Sequence, residues 1–542
     1  MNRPHGDFSR ATLMALTAIA ITMMAAMPNT AAAAEKTKRP NFVFVLADDM
    51  SWYGTGTRMQ AGLAVSSDRT RRTPVLDRMA RSGMTFSRAF APAAMCAPSR
   101  CSIQTGMTTA RTGFSGNGNF GSTSREVTYD GRRSRGRLLL EPSPLGSLYP
   151  GHDTIGEYLK RLGYATAHLG KWHVYGGGPG KHGYDVHDGE TSNAEGNSKD
   201  PRDPKRIFSM TRKANAFMET QVKANKPFFV QVSHYAEHNA VQSLPETLKA
   251  CLKDPMIKRI QPSALAKRVA KRTAMVKDMD TSIGQLLQKI DELGIADNTY
   301  VIFTSDNGHH RDSGEPKPLR GTKWWLWEGG IRVPMIITGP GVAAGSRSDV
   351  NVVAYDLLPT FFALAGGDTS KLKDVDGASI AGLLHGQAPG ALASRSLYFH
   401  YPHHRNTAMH SAIIQGDFKL FRFYEQPDRK YLYDLKQDLG ESRNVAADRP
   451  SIAVRLDEQL DQYFSSINTA LPRPNPDAPR NYKPYDPDAP DAKDKLGHSD
   501  NQKAASKATG NKPGDKPDTN ADKKARKKLE RQKRREQKKA AD

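Results

Sequence analysis

Pro40-Asn41-Phe42-Val43-Phe44-Val45-Leu46-Ala47-Asp48-Asp49 is the stretch whose reading decides the fold. An apolar run without polar alternation describes a strand buried on both faces, as in a parallel sheet covered by helices on each side. The run ends on two adjacent acids, and open α/β sheets hold their ligands beyond the carboxyl ends of such strands.

The same pattern recurs downstream. A strand at 164–169 runs into Gly170-Lys171-Trp172-His173, one at 228–232 into Ser233-His234-Tyr235-Ala236-Glu237-His238, and one at 299–303 into Ser305-Asp306-Asn307-Gly308. Helical segments separate them: one from Thr73-Pro74 with a cap and a first-turn proline, one near Asp153, one over 265–293 and one over 357–364. From Ser396 short strands follow at 397–400, 411–414, 419–423 and 430–433, with a helix over 452–464. The expected fold is α/β: a large, mostly parallel (mixed) sheet sandwiched by helices, with a smaller C-terminal antiparallel sheet plus helix.

The chain's 542 residues, 37% hydrophobic, are enough for a sizeable core. Arg3 and Arg10, an apolar run over 11–27 and the small residues 31–34 describe a secretory signal peptide over 1–34 better than a membrane span, with an uncleaved N-terminal anchor as the alternative. The expected location is therefore exported, periplasmic or extracellular, with no membrane span. The catalytic domain is expected over 40–390, a small α+β subdomain over 391–470, and a Pro/Asp-rich linker with a disordered basic tail over 471–542. Three cysteines exclude a disulfide scaffold, and Cys101 and Cys251 are left either to pair or to stay buried. Of the net charge of +22, the residues 501–542 supply +9, with 15 Lys and Arg against 6 Asp and Glu. The remaining +13 has the sign expected of a protein that meets polyanions, although nothing in the pattern suggests nucleic acid. Residues 114–151, rich in Gly, Ser and Pro and carrying Arg132, Arg133, Arg135 and Arg137, read as a long loop or inserted hairpin.

Met95-Cys96-Ala97-Pro98-Ser99-Arg100-Cys101-Ser102-Ile103-Gln104-Thr105-Gly106 carries the chemistry. Pro98 suits a first helical turn and Gly106 the position past a helix end, so Cys96 lies at a helix's positive pole, where an anion can dock. Asp48 with Asp49, and Asp306 with Asn307, offer hard oxygen ligands at two strand ends. Such a set suits Ca2+ or Mg2+ and argues against zinc.

The pattern Cys-x-Pro-Ser-Arg-x4-Thr-Gly resembles the signature of the type I sulfatases, in the alkaline phosphatase superfamily, and matches it at every fixed position. The resemblance implies that Cys96 is oxidised to formylglycine (3-oxoalanine) by a formylglycine-generating or radical maturase. The hydrated aldehyde is then the nucleophile. It implies further that Asp48, Asp49, Asp306 and Asn307 bind one divalent cation, usually calcium, together with the modified Cys96. Arg100, Lys171, His173, His238 and Lys323 resemble the residues that grip sulfate and move protons. On this reading His238, assisted by Lys323, protonates the leaving oxygen, and His173 takes a proton from the nucleophile's second hydroxyl. The chain departs from many relatives beyond His238, where it has Asn239-Ala240 in place of a proline, and His234 stands as a second candidate acid.

The expected activity is release of inorganic sulfate from a sulfated poly- or oligosaccharide. His309, His310, Arg311, Trp324, Trp325, His403, His404 and Arg405 are candidate sugar contacts. Two other functions compete. A phosphomonoesterase or phosphodiesterase of the same superfamily usually has two metals and a Ser or Thr nucleophile, whereas this chain offers Cys96 and ligands for one metal. A non-catalytic polyanion-binding protein has no need of a candidate for every catalytic role.

Overall fold

The computed structural model describes residues 1, 39–116, 126–129, 131, 134–310, 319–405, 407–489 and 492. The chain divides into two compact units, Met1–Arg39 and Pro40–Asp542, and the second is described here. The leader over 2–38, Arg132, Arg133, Arg311 and the tail from 493 lie outside the described residues.

The central sheet comprises β1 (Asn41–Ala47), β2 (Met84–Phe86), β3 (Ala165–Gly170), β4 (Val186–His187), β5 (Phe228–Ser233), β6 (Thr299–Ser305), β7 (Met335–Thr338) and β8 (Ser346–Ser348). Their order is β8-β2-β7-β6-β1-β5-β3-β4, with β7 antiparallel to both neighbours and every other pairing parallel. The side chains of β1 explain the sandwich. Phe42, Phe44 and Leu46 enter one core with residues of α2 (Cys96–Thr105), α3 (Ile155–Arg161) and α6 (Leu357–Leu364). Val43, Val45 and Ala47 enter a second with α1 (Pro74–Ser82), α4 (Ile207–Lys223) and α5 (Ser263–Glu292). Period-two alternation thus feeds two apolar layers, and no face is left for water.

A second sheet is the antiparallel meander β9 (Ser396–Tyr401), β10 (His410–Gln415), β11 (Phe418–Phe423) and β12 (Tyr431–Asp434). One face takes Ala453, Leu456, Leu460 and Phe464 of α7 (Pro450–Ser466) onto Ile413, Leu420 and Leu432. Its other face shares a core with Phe90, Trp325, Trp327 and Val353, the rings of Trp327 and Phe421 lying 4.0 Å apart. The two sheets therefore share one compact unit, Pro40–Asp542.

One expectation needs correction. The segment after Leu471 is no simple linker: Arg473–Pro474 pairs antiparallel with Leu139–Leu140, and Asn475 Nδ2 donates to the carbonyls of Ser134 and Arg137. Tyr485 then packs on Trp325 at 5.0 Å. The basic stretch before Gly151 has an antiparallel bridge of its own between Tyr129 and Pro142, and its Leu139–Leu140 pairs in addition with the C-terminal segment.

Candidate active site

Register builds the site. Leu46 pairs with Ser233 and Ala47 with Ser305, so β1, β5 and β6 end side by side. Asp306 N then donates to Ala47 O at 3.1 Å, and Asp49 N donates to Asp306 Oδ1 at 3.1 Å. Two acidic pairs more than 250 residues apart meet at one edge. Asp49 holds φ at +61°, a left-handed conformation that Asp tolerates better than most residues and that often marks a functional site.

Helix α2 brings the thiol to this edge. Cys96 is its first residue, and Gly106 closes it at φ +70° with its N–H donating to Ser102 O. A Cβ at Gly106 would stand 2.9 Å from Val375, so both space and backbone demand glycine. Cys96 Sγ lies 3.3 Å from Asp48 Oδ1, 3.5 Å from Asp49 Oδ1 and 2.9 Å from Lys323 Nζ. Arg100 leaves the same helix as a fork: Nε donates to Asp306 Oδ2 at 2.8 Å and Nη1 to Lys171 O at 2.6 Å.

Each carboxylate at the front has its own ammonium. Lys171 Nζ is 2.6 Å from Asp48 Oδ2 and Lys323 Nζ is 2.5 Å from Asp49 Oδ1, all four side chains being buried. Burial raises the pKa of both acids, but Lys171, with His238 and Arg100, holds Asp48 well below the usual carboxylate range. Lys323 likewise helps to bring Asp49 down to about 2. Asp306 differs: burial pushes it up to about 6 in spite of Arg100. Burial also drives the Cys96 thiol well above its ordinary value, helped by Asp48 and opposed by Lys171 and Lys323.

The two histidines sit differently. His173 is buried at φ +59°, its Nδ1 has no partner, and burial followed by Lys171 holds its pKa well below the ordinary value. His238 is the most open member of the group at 21% side-chain exposure, with Nε2 3.9 Å from Asp49 Oδ2; burial lowers its pKa too. His234 is fully buried, neither ring nitrogen has a partner, and its N–H joins the sheet by donating to Leu46 O. Of the two candidate acids, His238 is the one beside the cluster.

The donor set fits a hard cation. Ligand atoms of Asp48, Asp49, Cys96 and Asp306 all lie within 4.8 Å of one another, and Asn307 adds a buried Oδ1 with no hydrogen-bond partner. An oxygen left unpaired there has the chemistry of an unfilled ligand.

The sulfatase family model matches residues 40–367, and a model of the N-sulphoglucosamine sulphohydrolase C-terminal region matches 322–466. The chain belongs to the sulfatase family. The N-acetylgalactosamine-6-sulfatase of Mus musculus is 28% identical to this sulfatase over 70% of the chain and 71% of its own length. The N-acetylglucosamine-6-O-sulfatase of Bacteroides thetaiotaomicron is 26% identical over 76% and 83%. In fold it resembles the solved structure of Ps i-CgsB in complex with k-i-k-neocarrahexaose, with a TM-score of 0.64 and 24% identity over 79% of this chain and 93% of that one.

The candidate sugar contacts of this sulfatase separate into groups. His309 and Trp324 flank the site: Lys323 N donates to His309 O, and Lys323 Nζ stands 5.9 Å from the Trp324 ring, on whose edge His310 packs at 5.0 Å. Trp325 turns the other way into the shared core, stacked on His410, so its apolar surface is already spent on packing. His403 pairs with Ser115 and Glu141, His404 lies 3.6 Å from Glu425, and Arg405 O accepts from Tyr401. These three form a cluster of their own. Cys101 and Cys251 are free and buried, which removes the pairing option.

Two residues near the site escaped the sequence reading, Lys205 and Arg272. Lys205 hides in a Lys/Asp/Pro/Arg-rich stretch that looks solvated. Arg272 did leave a signal, since it continues the buried stripe Met275, Met279, Ile283, Leu286 on α5 at helical spacing.

Proposed function

We propose that this sulfatase hydrolyses a sulfate ester of a carbohydrate, using a formylglycine made from Cys96 and one divalent cation, Ca2+ ahead of Mg2+. The observation that carries the reading is Cys96 Sγ, seated between two carboxylates and the Lys323 ammonium; it stands in for an oxygen of the hydrated aldehyde. The intact Cys-x-Pro-Ser-Arg-x4-Thr-Gly motif at Cys96 supports conversion, which would place an aldehyde hydrate's oxygen nucleophile at this position. Asp48, Asp49, Asp306 and Asn307 would hold the cation, which when bound polarises the sulfate and the nucleophile.

The chain's own residues supply the rest. Lys171, Lys323 and the Arg100 fork fix positive charge where the non-bridging sulfate oxygens gain negative charge, and one such donor is typically worth about 10^2 to 10^3 in rate. His238, at the open side, hands a proton to the departing sugar oxygen, a contribution of about 10^2 to 10^4. His173, kept neutral by burial and by Lys171, accepts a proton when sulfate is released. His309, His310, Arg311 and Trp324 are the proposed sugar contacts. Carbohydrate as substrate rests on the relatives named for N-acetylhexosamine sulfates and on a similar solved structure titled as a complex with D-glucosamine-2-N,6-O-disulfate. Export, and maturation by a formylglycine-generating or radical enzyme, rest on the basic and apolar leader and on the intact motif around Cys96. No helix among the described residues is long and apolar enough to cross a membrane.

Mass spectrometry of the Cys96 peptide, with sulfate release from a panel of sulfated oligosaccharides, tests the reading. Formylglycine at 96, activity on sugar sulfates and none in Cys96→Ala are expected. An unmodified protein with full turnover, or an active Cys96→Ala variant that stays folded, refutes it.

A further inference from the structure

Lys205 and Arg272 are buried cations outside the catalytic set, and neither has a carboxylate partner among the described residues. Lys205 Nζ makes one hydrogen bond, to the neutral Asn197 Oδ1 at 3.2 Å. Arg272 Nη1 donates to Glu237 O at 3.1 Å and Nη2 to Asn239 Oδ1 at 2.9 Å, while Nε has no partner. The two residues it grips stand on either side of His238. Burying a cation against neutral groups alone is costly, and proteins rarely keep two such groups together without an anion to complete them.

Their placement is built rather than incidental. Lys205 and Arg206 take consecutive left-handed conformations, φ +53° and +54°. Gln242, on the loop after His238, accepts from Lys205 N and Ser198 N and donates to Ser198 O, which clamps the Lys205 loop to the His238 loop. Lys205 lies near enough to Asp48, Asp49, Lys171 and Arg272 to feel their charges: burial brings its pKa down to about 8, with Asp48 and Asp49 opposing the fall and Lys171 and Arg272 adding to it. Asp48, Asp49 and Asp306 are each paired with a catalytic cation, Lys171, Lys323 and Arg100 in turn, and none of them is in ion-pair contact with Lys205.

We propose that Lys205 and Arg272 form a second anion-binding point beside the sulfate pocket, one that takes a further sulfate or carboxylate on the sugar whose ester is cleaved. A planar guanidinium with an unpartnered Nε and an ammonium with donors to spare match an oxyanion of either kind. The inference rests on the carbohydrate reading above and narrows it to substrates carrying at least two negative groups.

The test compares wild type with Lys205→Met and Arg272→Gln on three substrates: a monosulfated hexosamine, its disulfated form, and a monosulfated hexosamine linked to a uronate. Wild type is expected to prefer one of the doubly charged sugars. Each variant should lose that preference by on the order of 30-fold or more, mainly through KM, as when one partner of a buried charge pair is removed. The uronate and disulfate arms identify which anion is read. Lys205→Met should also melt at a higher temperature, because it deletes a buried charge that only substrate completes. Equal losses on all three sugars, or a variant that unfolds or melts lower, would show a structural or catalytic role and overturn the proposal. A wild type that cleaves aryl sulfate but none of the sugars defeats the carbohydrate reading instead.

Discussion

Arg100 Nε donates to Asp306 Oδ2 at 2.8 Å across a separation of 206 residues, joining the Cys96 helix to the acidic pair at the end of β6. The same guanidinium donates from Nη1 to Lys171 O, so one side chain fixes helix α2, the Asp306 carboxylate and the start of the Lys171 loop. Arg100→Lys keeps the charge and loses the fork, and it leaves Asp306 buried with one bond fewer. We expect kcat/KM to fall by at least about 10^2, with a weakened response to added Ca2+. Steady-state kinetics across a Ca2+ titration measures both; a change under threefold would show that charge alone suffices.

His238 is the open member of the cluster, and its role is tied to the leaving group. His238→Gln should cost about 10^2 to 10^4 on a sugar sulfate, whose alkoxide needs a proton. On an aryl sulfate with an acidic phenol the loss should be far smaller. A dependence of rate on leaving-group pKa that is steeper in the variant supports the assignment; parallel slopes would transfer the role to another residue.

Much of this architecture was legible because burial on both faces writes a continuous apolar strand. The run 42–47 and the polar exits at Asp48, Lys171, His234 and Asp306 announced a parallel sheet with a ligand edge. The antiparallel β7 was not legible, since strand direction depends on the path of the connection and not on the residues of Met335–Thr338. The docking of 471–489 was hidden for another reason: Pro/Asp-rich composition describes a chain without a core of its own, yet Asn475 and Tyr485 borrow one from Ser134 and Trp325. Trp325 looked like a sugar platform because an aromatic beside Lys323 is ambiguous until side-chain direction is known. Lys205 left no pattern, as its burial depends on left-handed backbone and on a clamp from Gln242.

Asp280 gives the fold a pH dependence of definite sign. It leaves α5 to accept Val75 N and Leu76 N, both at 3.0 Å, at the start of α1, and burial lifts its pKa to about 6. The folded value lies above the unfolded value of about 3.9, so the native state binds the proton more tightly. Stability therefore falls as pH rises from about 4 to 6 and is level above that window. Asp278 has a similar pKa of about 6, so Asp280→Asn should flatten the melting temperature against pH only in part. A steeper profile in the variant contradicts the account.

Lys419 Nζ sits 2.9 Å from both Glu328 Oε1 and Glu441 Oε1, all three side chains being fully buried, with Arg332 on the far oxygen of Glu328. Glu328 and Arg332 come from the central body and Lys419 from β11, so the network pins the small sheet at a fixed position where apolar packing alone tolerates sliding. Burial raises Glu441 to about 7, and Lys419 opposes that rise. Lys419→Met fills the volume but strands two carboxylates against one arginine, and breaking a buried pair this way costs about 3–5 kcal/mol. Glu441→Gln in the same chain removes one stranded charge and should recover part of the loss. Denaturant unfolding of the single and double variants gives the coupling directly. Additive losses would mean that the three charges do not act together, and that the two sheets are held by the apolar core they share around Trp327 and Phe421.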